Sequence, residues 1–206
     1  MTRNRSEFIA DKQKEIICAC EKLYQNMSFK EITIKEIGKI TPFKRTTIYN
    51  YFQTKEEIFL ALLQREYFRW INELQKIIDT HETLTKNELA VELAKSLENR
   101  RQLLKLMSMN HFDMEMNSRD KNLTEFKKAY GSSMRLVKNC LDKFCTDLSE
   151  QEKENFIYAF FPFVYGIYPY AVVSEKQKVA MEAAGVNFKF HSIYELAYSC
   201  AMKLLS

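Results

Sequence analysis

From Ser6 to Met27 the apolar residues Ile9, Ile16, Cys20, Leu23, Tyr24 and Met27 recur at helical spacing, which predicts an amphipathic helix. Residues 28–30 break it. Thr33-Ile34-Lys35-Glu36 then reads as a capping box: the Thr33 hydroxyl accepts from the Glu36 amide and the Glu36 carboxylate reaches back. The helix it opens is short, with Ile34, Ile37 and Ile40 three apart, and it must stop at Thr41-Pro42. A second short helix is expected at about 44–51. Thr54-Lys55-Glu56-Glu57 forms another capping box and opens a long helix, whose apolar stripe runs through Ile58, Leu62, Tyr67, Trp70, Ile71, Leu74 and Ile78.

Beyond this helix the pattern predicts long helices near 85–98, 99–117, 120–147, 150–173 and 189–205, with 174–187 as a loop or short helix and Gly185 near its end. No repeat, Ser/Gly linker or low-complexity segment interrupts them. The 206 residues include only four glycines and three prolines, too few for the tight turns of a sandwich or barrel. The fold class expected is therefore all-α. It comprises an N-terminal three-helix unit over 1–53, with a helix-turn-helix at about 33–52, and a helical bundle over 54–206. The helix starting at Thr54 should join them.

The stretch from Thr33 to Leu63 carries the functional signal. Two short helices cross steeply only where apolar side chains fill the angle between them. Ile37, Ile40, Phe43 and Ile48 are spaced to do that, with Tyr51 or Phe52 closing the bottom. The outward face of the second helix is then Lys44, Arg45, Thr46, Thr47, Tyr49 and Asn50: long donors, hydroxyls and an amide, with no carboxylate. That chemistry suits phosphates and base edges. Charge agrees with it. The net charge is +4, and residues 1–55 hold 11 Lys/Arg against 6 Asp/Glu while 56–206 hold 20 against 21. A basic first quarter on a neutral body fits a module that meets a polyanion.

The remaining chemistry is sparse. There is no Gly-rich phosphate loop and no Gly-x-Ser-x-Gly elbow, and His81, His111 and His191 are scattered. His111 and Glu115 share a helical face, and two such ligands are read as solvated polar groups before they are read as a metal site. No catalytic, metal or cofactor site is expected, so the chain is not read as an enzyme. Cys18, Cys20, Cys140, Cys145 and Cys200 form no disulfide framework, and the first residues carry no apolar signal segment, so a cytoplasmic protein with reduced thiols is expected. One uncharged stretch, 155–173, approaches membrane-spanning length. It contains Pro162, Gly166, Pro169 and four tyrosines, and is better read as a buried or dimer-interface helix than as a span.

The residues Thr33, Ile37, Thr47, Ile48, Tyr49, Asn50, Tyr51 and Phe52, followed by Lys55, Glu56, Glu57 and Ile58, resemble the DNA-binding domain of the tetracycline-repressor (TetR) family over roughly residues 8–65. The rest of the chain matches that family only in length and helical character. The resemblance implies that residues 44–50 lie in the major groove, and that Thr33, Lys35, Tyr49, Tyr51 and Lys55 touch the DNA backbone. Thr33 and Lys55 sit at helix starts, where free amides favour phosphate oxygens. Two positions depart from the family pattern. Pro42 stands where a turn glycine is usual, and Lys44 where a small hydroxyl residue usually caps the recognition helix. A lysine there is disfavoured by the helix dipole unless a phosphate lies close, so Lys44 is expected to be a phosphate contact. The resemblance further implies that the last two long helices pair with those of a second chain.

The second half is dense in aromatic and methionine side chains. Met107, Phe112, Phe126, Tyr130, Met134, Phe161 and Tyr165 could line an apolar effector pocket, or could equally be core and dimer interface. The function expected is a homodimeric regulator, a repressor, that binds a palindromic double-stranded operator and releases it to a small, mostly apolar effector. Two other readings stay open: a redox- or metal-responsive regulator acting through its cysteines, and a helical partner-binding protein with a vestigial helix-turn-helix.

Overall fold

The computed structural model describes residues 5–206, with side chains described for 7–108 and 111–206. Among the described residues the only regular elements are helices, with no strand: α1 (Arg5–Tyr24), α2 (Ile34–Lys39), α3 (Arg45–Tyr49), α4 (Lys55–Thr80), α5 (Lys86–Glu98), α6 (Arg101–Met116), α7 (Asp120–Phe144), α8 (Glu150–Ala171), α9 (Glu175–Ala183) and α10 (Ile193–Leu205). The all-α expectation holds, and the helix ends fall within a few residues of those read from periodicity. The stretch between α8 and α10 resolves into the short helix α9, set at 83° to α8.

The chain forms two compact units that interleave along the sequence. One comprises 1–65 with 110–128, the other 66–109 with 129–206. Helices α4, α6 and α7 therefore each contribute residues to both units. A cut at residue 53 divides the chain linearly, whereas the segment 110–128 folds with the N-terminal residues.

In the first unit the α1 stripe Ile16, Ala19, Cys20 and Tyr24 is buried, together with Phe29, Ile32, Ile34, Ile37, Ile48, Phe52, Ile58, Phe59, Leu62 and Phe126. Tyr24 meets Phe59 edge-on at 5.1 Å between ring centroids, and Phe29 meets it at 4.7 Å. In the second unit α10 packs on α5 and α8. Its buried Ala197 and Ala201, one turn apart, let the helix axes approach, and Tyr198 donates to the Asn87 side chain at 2.7 Å.

Helix starts follow the capping rule. Thr85 with Glu88, Ser149 with Glu152, Ser174 with Gln177 and Ser192 with Glu195 are reciprocal capping boxes. The two boxes expected beside the helix-turn-helix form only half. Thr33 accepts from the Glu36 amide at 3.2 Å, but the Glu36 carboxylate turns to Lys39. Thr54 accepts from the Glu57 amide at 3.1 Å, but the Glu57 carboxylate takes the Gln53 amide.

Helix α8 continues through two prolines, Pro162 and Pro169. A proline leaves the carbonyl four residues earlier without its helical donor. For Pro169 that carbonyl belongs to Tyr165, and the Ser108 hydroxyl of α6 lies 2.7 Å from it. The same hydroxyl is 2.9 Å from the Leu104 carbonyl, so its one proton has two alternative acceptors. The longer route to Leu104 lies within α6 itself; the bond to Tyr165 joins two helices.

Candidate nucleic-acid interface

Helix α2 is held by Thr33 at its N-cap, in extended backbone at φ −125° and ψ 163°. It ends at Ile40, whose backbone leaves the helical region at φ −111° and ψ 5°. Ile40 therefore falls out of register and is 49% exposed rather than filling the angle between α2 and α3. Ile37 and Ile48, both fully buried, fill it. Phe43, half-buried, stands in the turn with its ring centroid 5.1 Å from the Lys12 ammonium, which also lies over Phe8 at 4.4 Å.

Lys44 is the N-cap of α3, extended at φ −65° and ψ 150°, and its side chain makes no capping bond. Because Ile48 anchors the inner face, Lys44, Arg45, Thr46, Tyr49 and Asn50 are all exposed, with Thr47 half-buried. The Arg45 guanidinium donates to the Tyr49 hydroxyl at 2.9 Å and lies 5.4 Å from that ring's centroid, so the two are held together one turn apart. Thr33 and Lys35 are exposed at the start of α2.

Two further residues that the resemblance assigns to the DNA backbone have partners within the fold. The Lys55 ammonium donates to the Phe29 carbonyl at 2.7 Å and sits 4.3 Å from the Phe29 ring centroid. Tyr51 is half-buried, and its carbonyl accepts from Arg119 at 3.2 Å.

Arg119 is a residue that sequence reasoning missed. It lies in the turn between α6 and α7, and from there its Nε and Nη2 donate to the two oxygens of Glu57 at 2.5 and 2.8 Å. Glu57 is only 1% exposed. Burial by itself raises its carboxyl, but bonds from Arg119 and from the Gln53 amide outweigh that and hold it below the ordinary carboxylate range. No sequence pattern could pair residues 62 apart. In the sequence Glu57 reads only as the capping-box partner of Thr54.

The expected effector-pocket residues do not all meet. In the second unit Tyr130 of α7 and Phe161 and Tyr165 of α8 cluster with Tyr67 and Trp70 of α4. Tyr130 lies 5.7, 6.4 and 6.1 Å from Phe161, Tyr165 and Tyr67, and Trp70 lies 5.9 Å from Phe161. The Tyr67 hydroxyl donates to that of Tyr165 at 3.1 Å, and the Trp70 indole donates to Ser96 at 3.0 Å. Met107 is buried in the same unit. Met134 lines a separate groove of about 470 Å³ between α7 and α8, beside Lys138, Lys153, Ile157 and Tyr158. Phe126 is buried in the first unit, and Phe112, at 73% exposed, stands on its surface.

All five cysteines are free thiols. Burial pushes Cys140 up to about 12 and Cys200 up to about 11, and raises Cys20 and Cys145 as well. Reactive sensor thiols need the opposite shift. His111 and Glu115 pair on α6 at 3.4 Å, and Lys127 also reaches Glu115 at 2.5 Å. Among the described residues no group of three or more His, Cys, Asp or Glu could hold a metal ion, and no single helix is long and apolar enough to cross a membrane.

The family described as "Tetracyclin repressor-like, C-terminal domain" matches residues 64–197, well over half of the chain. The chain belongs to the TetR family of transcriptional regulators. The match covers the half of the sequence where the resemblance read from motifs was weakest. Solved structures of the family share the fold at low identity. A TetR/AcrR regulator from Thermobifida fusca superposes with a TM-score of 0.63 at 14% identity, covering 95% of this chain and 97% of its own. FadR from Bacillus subtilis, in complex with stearoyl-CoA, gives 0.61 at 15%, covering 94% and 97%. FadR from Thermus thermophilus, a repressor in complex with lauroyl-CoA, gives 0.58 at 16%, covering 94% and 93%. No curated protein matches the sequence.

Proposed function

We propose that this TetR-family chain is a cytoplasmic, ligand-responsive repressor that binds a palindromic DNA operator as a homodimer. The observation that carries the reading is the outer face of α3. Lys44, Arg45, Thr46, Tyr49 and Asn50 are exposed side by side with no carboxylate among them, on a helix anchored from behind by buried Ile48. Arg45, held against Tyr49, is poised for a base edge, and Lys44 for a phosphate, with Thr33 and Lys35 as further backbone contacts. One short helix reads only a few base pairs. Two of them on a two-fold axis read half-sites about one DNA turn, ~34 Å, apart. Dimerisation is proposed through α8 and α10, and α8 exposes Tyr158, Pro162, Pro169 and Tyr170.

The effector is proposed to be small and mostly apolar, entering at the aromatic cluster of Tyr67, Trp70, Tyr130, Phe161 and Tyr165. Two fold relatives were solved with fatty acyl-CoA, whose acyl chain is apolar although its coenzyme A part is large and anionic, so long-chain acyl compounds are the first to try. Footprinting on the DNA flanking the protein's own gene should show a protected palindrome. Arg45→Ala should then weaken binding by ~1–3 kcal/mol and relax base preference at one position of each half-site. Lys44→Ala should weaken binding to all sequences and lower the salt slope by ~1. A protein that leaves every flanking duplex unprotected at low ionic strength would refute the reading.

A further inference from the structure

On the proposed DNA-binding reading, which this inference presupposes, α3 has to present its face at a fixed angle. Its inner side is held by Ile48. Its C-terminal end runs directly into 51–54 and the start of α4, where Phe52 is buried. The α6–α7 turn adds a set of polar ties to the same stretch. Glu57 accepts from the Arg119 amide at 3.1 Å, from Arg119 Nε and Nη2, and from the Gln53 amide at 2.8 Å. Arg119 Nη2 also donates to the Tyr51 carbonyl, two residues beyond the end of α3, at 3.2 Å. Two residues earlier in the same turn, the Asn117 carbonyl accepts from the Thr54 hydroxyl at 3.0 Å.

These bonds form a single clasp. A carboxylate as deeply buried as Glu57 must be paired, because an isolated interior charge costs far more than a surface one. The pairing cation arrives from residue 119, and its Nη2, which also serves Glu57, donates in addition to the backbone that leaves the recognition helix. A planar guanidinium can bridge a carboxylate and a carbonyl at once; an ammonium on a flexible stem cannot hold that fork geometry. With its side chain 45% exposed, Arg119 is also not buried for its own sake.

We infer that Arg119 is a positioning residue for DNA recognition: by bridging Glu57 and the Tyr51 carbonyl it sets the orientation of α3, and so makes the 110–128 segment a working part of the DNA-reading unit. It acts through Glu57 and Tyr51 and takes no phosphate itself.

The test measures operator affinity against salt for full-length wild type, Arg119→Ala and Arg119→Lys, using a duplex that spans the footprint beside its own gene, with concentrations taken as folded dimer. Arg119→Ala should bind ~10-fold or more weakly, and Arg119→Lys, which keeps the charge but not the fork, should lie between it and wild type. The salt slope should stay at the wild-type value in both, because no phosphate contact is lost. Loss of affinity with a slope lowered by ~1 would make Arg119 a phosphate contact and overturn the inference. Unchanged affinity in Arg119→Lys would overturn it too, even if Arg119→Ala fails to fold. If wild type binds no duplex, the functional reading falls and takes the inference with it; unchanged variants beside a binding wild type remove the inference alone.

Discussion

Gly38 sits near the end of α2, one residue after Ile37, where a helix-turn-helix invites the idea that a missing side chain permits the crossing. The geometry argues otherwise. A Cβ at Gly38 would meet Ile48 Cδ1 at 3.6 Å, an ordinary contact, and the backbone there is not left-handed. Glycine costs a helix up to ~1 kcal/mol relative to alanine, so Gly38→Ala should raise stability by ~0.5–1 kcal/mol in urea unfolding and leave operator binding intact. A loss of stability would mean that α2 and α3 meet more closely than Ile37 and Ile48 require. At this scale the outer face of α3 was legible from residue types alone, since donors without carboxylates on one side of a helix need no fold to be recognised. Ile40 and Lys55 were not legible. Where Ile40 points depends on where α2 stops, and the Lys55 ammonium is claimed by a carbonyl and a ring 26 residues earlier.

Helices announce themselves through caps and periodicity, and four of the later ones begin at a Ser or Thr with Glu or Gln three residues on. Periodicity says less about how two helices lock. Pro169 leaves the Tyr165 carbonyl without its helical donor, and Ser108 of α6 fills the place at 2.7 Å. Ser108→Ala should therefore cost ~1–2 kcal/mol by leaving that carbonyl short of a donor. In a Pro169→Ala background the same change should cost less, because an alanine amide restores the helical bond to Tyr165. Measured as a double-mutant cycle in urea, the coupling should be ~1 kcal/mol; strictly additive effects would show that solvent or Leu104 already serves the purpose.

For the whole molecule the informative probe is Trp70, the only tryptophan, buried on α4 between Tyr67 and Phe161 with its indole bonded to Ser96. A ligand that enters the aromatic cluster has to change the surroundings of that ring. Lauroyl-CoA or stearoyl-CoA, if accepted, should shift Trp70 emission over the same concentration range in which operator DNA is released, as linkage requires. Release of DNA with Trp70 emission untouched would place the effector elsewhere.

The all-helical class, the approximate ends of the helices, and the carboxylate-free outer face of α3 were all present in the sequence. They depend on spacing of 3.6 residues per turn and on capping residues three positions apart, interactions that are local along the chain. The tertiary structure alone decided that 110–128 folds with 1–65, that Arg119 answers Glu57, and that Tyr130, Phe161 and Tyr165 gather around Tyr67 and Trp70 while Phe112 faces outward. Each of those pairings spans tens of residues of helix. Along such distances a hydrophobic pattern says which side of a helix is buried, but not which partner it is buried against.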